Sequence, residues 1–208
     1  MSETAPRTEL ATEEKAALTD LVLRGMHQGD LSPAQTALVE AELATARGPV
    51  LVPTQQAVQT VSAILLVPQE SATRDRIYQL FTAFLPINRQ LREVCTDWQR
   101  LPDGTPNDHT DATWDAGVRD RLDDIDAGIG RILKRLTVVD ESFTDYREQL
   151  TAALEKFDGG DQSALTSPLS ASYHNVWMWL HQRLLLMLGI SRAEDEALEE
   201  QLVREQSG

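Results

Sequence analysis

The stretch Ser170–Gly189, SASYHNVWMWLHQRLLLMLG, decides the fold. Tyr173, Val176, Trp177, Leu180, Leu184 and Met187 recur at steps of three and four, the period of one helix face. Met178, Leu185 and Leu188 fall on another side, so this helix is apolar nearly all round and needs neighbours on several sides. Gly189 supplies its stop, because glycine accepts the left-handed conformation that ends helices. Other long helices must therefore surround it.

The sequence upstream provides them. Ser71 caps a helix carrying Ile77, Leu80, Phe81, Phe84, Leu91, Val94, Cys95 and Trp98 on one face. Pro86 lies inside it and predicts a kink, since the ring blocks the bond to the Thr82 carbonyl. Pro102, Asp103-Gly104 and Pro106 make a loop of residues 101–110. Thr110 or Thr113 starts the next helix, with Trp114, Val118, Leu122, Ile125, Ile129, Ile132 and Leu136 on one face. Ser142 with Asp145 reads as a capping box before Phe143, Tyr146, Leu150, Leu154 and Phe157, and Asp158-Gly159-Gly160 ends that helix. Ser191 caps a charged final helix. Four substantial helices with short connections predict an antiparallel bundle over residues 71–208.

Residues 1–70 read as a smaller helical unit. After a loose lead, Thr12-Glu13-Glu14 starts a helix that runs to about Gln28 before Gly29. Ser32-Pro33 opens a second helix that Gly48-Pro49 closes. Val50-Leu51-Val52 is the one β-like stretch, and Pro53-Thr54 introduces a third helix through Val61 and Leu65. The expected fold class is mainly all-α.

Composition bounds the function. The apolar share of 41% and charged share of 25% are those of a globular chain. The formal net charge is −14, and residues 1–70 hold only Arg7, Lys15, Arg24 and Arg47 as bases against nine acids. Nucleic-acid and anionic-membrane binders concentrate basic residues, so tight duplex binding and membrane association are not expected. Cys95 is the single cysteine and reads as a small core residue. The polar, acidic start does not read as a signal peptide, and the expected address is cytoplasmic.

No P-loop, GxSxG, CxxC, HExxH or Glu-x-x-His pattern occurs, so no metal site is expected and no cofactor is specified. Two groups of polar residues stand out instead. His174 and His181 share a face of the apolar helix, about 10 Å apart along its axis, flanked by Tyr173 and Trp177. Asp97 and Trp98 end the proline-containing helix, with Asp108 and His109 in the loop that follows. Read as core and loop chemistry, each histidine of the buried helix needs a partner on a neighbouring helix, and His109 faces solvent. Read as a site, His109 or Asp97 must reach His174 or His181 around a shared cavity.

Five short segments form an ordered series: Phe84-Leu85-Pro86-Ile87-Asn88, Cys95-Thr96-Asp97-Trp98-Gln99, Asn107-Asp108-His109, Ser172-Tyr173-His174-Asn175-Val176-Trp177 and Leu180-His181. The series resembles uncharacterised actinobacterial helical proteins associated with pyruvate phosphate dikinase-like enzymes. In that group a MarR-like winged-helix segment precedes the helical part. The resemblance implies a degenerate winged-helix-like unit over 1–70, with 33–47 as its recognition helix. The dikinase's phosphotransfer and nucleotide motifs are absent, so its activity is not implied. The base content of 33–47, Arg47 alone, departs from a DNA reader.

Two functions follow as expectations. The first is a non-catalytic small-molecule-binding or accessory, regulatory protein, partnered by a ligand, another protein or a second copy. Its ligand-binding candidates are Asn88, Trp98, Tyr173 and Trp177. The second is a small acid–base enzyme of actinobacterial metabolism, with His109, His174, His181, Asp97 and Asp108 as the catalytic candidates.

Overall fold

In a computed structural model that describes residues 9–206, the chain is mainly helical and divides into two units between Leu66 and Val67. The N-terminal unit runs α1 (Thr12–Arg24), β1 (His27–Gln28), α2 (Pro33–Glu40), β2 (Ala44–Arg47), β3 (Val50–Pro53) and α3 (Gln55–Leu65). The strands form an antiparallel sheet in the order β1-β3-β2. Leu18, Leu21, Leu38, Leu51, Ala57 and Val61 are its buried core.

Three sequence expectations are corrected here. The first helix stops at Arg24, with Gly25 left-handed at φ 80°, and His27–Gln28 pairs with β3 rather than extending the helix. The second helix ends at Glu40, not Arg47. Glu42 turns left-handed at φ 59°, the Leu43 amide bonds back to the Leu38 carbonyl, and residues 44–47 pair with β3. The hairpin's two-residue turn puts Gly48 (φ 60°) first and Pro49 second, the order that suits a turn of type II′. Cross-strand pairing thus overrides helical patterning, and the segment expected to be a recognition helix is one short helix and a strand.

The second unit contains α4 (Ala72–Gln99), α5 (Ala112–Thr137), α6 (Thr144–Asp158), the four-residue α7 (Ser163–Thr166), α8 (Tyr173–Leu188) and α9 (Arg192–Gln206). The contacts run α4 to α5, α5 to α6, α6 to α8 and α8 back to α4, closing a ring of four long helices. Each neighbouring pair is antiparallel: Asp97 of α4 meets Arg121 of α5, while Ile87 faces Gly128. Similarly Arg119 meets Asp158 and Asp126 meets Arg147 between α5 and α6. Between α4 and α8, Phe84 packs against His181 and Asn88 bonds Trp177.

The core positions of α4 alternate steps of four and three: Ile77, Phe81, Phe84, Asn88, Leu91, Cys95 and Trp98, all buried. Val118, Leu122, Ile125, Ile129, Ile132 and Leu136 do the same on α5. This is the knobs-into-holes pattern of a bundle seam. Gly128 lets α4 come close, since a Cβ there would lie 3.0 Å from Ile87 Cδ1. Pro86 is accommodated within one unbroken helix of 28 residues.

The expected capping box at Ser142 is also corrected. The Asp140 carboxylate accepts from the Ser142 amide and hydroxyl and from Arg183, forming a 3-10 turn over Glu141–Phe143 before α6 begins. Asp140 outcompetes Ser142 because its charge can bind Arg183 as well. Among the described residues no helix is long and apolar enough to cross a membrane.

Candidate functional site

Asn88 is the one polar residue in the α4 seam, and it is 1% exposed. Its Oδ1 accepts from Trp177 Nε1 at 2.9 Å, and its Nδ2 donates to Glu199 Oε1 at 2.8 Å. Arg92 donates to both oxygens of the same Glu199. Burial opposes the charge of Glu199, but hydrogen bonds from Arg92 and Asn88 outweigh it and hold the carboxyl below its usual range. One turn away, buried His181 Nε2 meets the buried Asp195 carboxylate at 3.2 Å, with Phe81 and Phe84 rings against it. Three of the candidates, Asn88, Trp177 and His181, therefore share one seam. Asn88 and His181 anchor α9, whose buried side chain among residues 192–205 is Asp195.

A second cluster closes the far end of α4. His109 packs at a tilt against Trp98 with ring centroids 4.2 Å apart, and Phe157 meets Trp98 edge-on. His109 Nδ1 lies 3.0 Å from Asp115 Oδ2, and buried Asn107 donates to Asp115 Oδ1 and to the Trp98 carbonyl. His109 sits at φ 58°, a conformation uncommon outside glycine, fixed by its amide bonding Asn107 Oδ1. Asp108 points elsewhere: its carboxylate accepts from the amide and hydroxyl of Thr110, which lower its pKa, and it is exposed.

Tyr173 belongs to a third cluster. Its hydroxyl donates to Asp126 Oδ1 at 3.0 Å while Arg147 grips Asp126 with both terminal nitrogens. Burial first, then the Asp126 charge, push the Tyr173 hydroxyl far up, so it stays a donor. His174 is half-buried, with no hydrogen-bonding partner among the described residues, and burial lowers its pKa. Burial likewise pushes the Cys95 thiol up to about 12, which removes it as a nucleophile.

These contacts separate the two groups picked out in the sequence. Phe84 at His181 and Trp98 at His109 lie on the same helix about 21 Å apart at roughly 1.5 Å per residue. His109 and His181 each bind a carboxylate of their own, and Asp97 accepts Arg121 at 2.8 Å. His109 lies tilted against Trp98, with 21% of its side chain exposed.

Open space lies beside Asp97. A groove of about 360 Å³ between α4 and α5 is lined by Asp97, Asp111, Thr113, Trp114, Gly117 and Arg121, with Val118 at its base. A second groove of about 440 Å³ shares Asp97 and Arg121 and adds Arg89 and Arg92. Trp114 Nε1 donates to the Asp97 carbonyl at 2.8 Å, which fixes its indole at the wall. The residues that sequence reasoning missed are Asp195, Glu199 and Arg121. Asn88 carried a legible signal, a polar residue in an otherwise apolar heptad, whereas the acids of α9 resembled solvent-facing charge. Among the described residues no group of three or more His, Cys, Asp or Glu side chains is arranged to hold a metal ion. No family model, curated protein or solved structure matches the chain.

Proposed function

We propose that this is a non-catalytic binding protein that holds a small molecule in the groove between α4 and α5. One observation carries the reading: Asp97, one of the candidate acid–base residues, lines an open groove, and there it stands beside a fixed indole. The others are engaged in the fold, at a loop turn, or lack a partner that would set their proton transfer. Binding grooves combine apolar area with a few placed polar groups, and Trp114 and Val118 beside Asp97, Thr113 and Arg121 meet that description.

Native mass spectrometry of protein purified from its own host tests the reading. A retained small molecule that Trp114→Ala releases is the expected result. Retention unaffected by Trp114→Ala, or turnover that depends on His109, overturns it. The enzyme reading has one observation in its favour: the His109–Asp115 pair leaves His109 Nε2 without a hydrogen bond among the described residues. His109→Gln would then abolish turnover while leaving the protein folded.

A further inference from the structure

We infer that the groove over Gly117 takes a flat-ringed organic cation, a ligand class that rests on the binding reading above. Gly117 lies exposed within the 26-residue α5, where alanine is the better helix former. Packing does not require it, since a Cβ at Gly117 would meet nothing within 4 Å. Its effect is to clear the groove floor. Trp114, Gly117, Val118 and Arg121 follow one another at i, i+3, i+4 and i+7, so a side chain longer than a methyl at 117 would rise between the indole and the guanidinium. The indole is already held by the Asp97 carbonyl, so a ring laid over Gly117 meets a wall that needs no rearrangement.

The charges of the groove select the sign. Arg121 is the one cation lining it, and it is bound to Asp97. An anion would have to approach Arg121 beside the Asp97 carboxylate that already pairs with it, and face the exposed Asp111 carboxylate as well. Asp111 Oδ1 caps α5 through the Thr113 and Trp114 amides, while its second oxygen has no hydrogen bond among the described residues. That cap offsets the positive end of α5 and leaves an acceptor for an ammonium group. Indole faces attract cations, and a net charge of −14 enriches cations around the protein.

The test uses tryptamine, a flat ring bearing an ammonium, against indole-3-acetate, the same ring bearing a carboxylate. The readout is the Trp114 indole N–H resonance in ¹H–¹⁵N spectra of the full chain, assigned through Trp114→Phe. Tryptamine should shift it saturably with a Kd on the order of 1 mM, as for one small fragment. Indole-3-acetate should bind at least tenfold more weakly. Gly117→Leu should lose tryptamine at least tenfold without lowering the melting temperature, and Gly117→Ala should keep it. Equal binding of both probes at Trp114 overturns the cation and leaves the groove as a binding site. Full tryptamine binding by Gly117→Leu, or no shift with either probe, overturns the inference. The ligand retained from the host then decides the binding reading separately.

Discussion

Replacing Asn88 with alanine removes two bonds at once from the centre of the bundle. Trp177 is fully enclosed, and its indole N–H would lose its acceptor. A buried donor left unpaired costs about 1–3 kcal/mol. Glu199 would lose its Asn88 donor but keep Arg92, so this loss sits near the low end for a charged partner, about 1.5 kcal/mol. Together they amount to about 2.5–4.5 kcal/mol, or a fall in melting temperature of roughly 10 °C for a chain of this size. Calorimetry of Asn88→Ala, Trp177→Phe and the double variant measures it. The two changes should couple by at least about 1 kcal/mol, because each removes the same hydrogen bond. A loss below about 1 kcal/mol for Asn88→Ala, or additive losses in the double variant, would refute the bridging role.

Three further outcomes follow from the same contacts. His181→Leu strands the buried Asp195 carboxylate, and urea unfolding should show a loss of about 3–5 kcal/mol. Restoration of stability by Asp195→Leu in the same chain checks that the stranded charge is the cause. Gly128→Val drives a branched side chain into Ile87 and should cost about 2–3 kcal/mol, whereas Gly117→Ala should raise stability by up to about 1 kcal/mol. The carboxyl of Glu199 titrates lower in the folded protein than in the unfolded chain, so its contribution is complete above about pH 4.3 and disappears as pH falls through its folded value. Hydrogen exchange should therefore show α9 losing protection below about pH 4 before the bundle melts, and unchanged α9 protection from pH 6 to pH 3 would contradict this.

Much of the bundle was legible because long helices repeat their signal. The apolar steps of α4, α5, α6 and α8 each span several turns, and Ser71 marks the start of α4 as Ser191 marks that of α9. The N-terminal sheet was less legible. Two strands have only two and four residues, too short for periodicity, and His27–Gln28 and Ala44–Arg47 become strands because β3 offers them backbone partners. The candidate site divided in the same way. Single residues such as Asn88, His109 and His181 stood out by chemistry, but their partners lie on other helices, up to 111 residues away for Asn88 and Glu199. Gly117 gave no signal in the sequence, because only the surrounding packing reveals a glycine that leaves a surface open.

The order of the helix ring bears on how the bundle assembles. Three of its four contacts join α4 to α5, α5 to α6 and α6 to α8, across intervening stretches of ordinary loop length or one short helix. The fourth, α8 to α4, joins residues 89 positions apart at the Trp177–Asn88 bond. Loop-closure entropy makes such a distant pairing the slow one, so the first three seams can form as a growing hairpin stack before the ring shuts. Trp177 enters its stack with Phe84 only at that moment. In a chain whose other tryptophans are exchanged for phenylalanine, its fluorescence would time the closing of the ring rather than the collapse that precedes it.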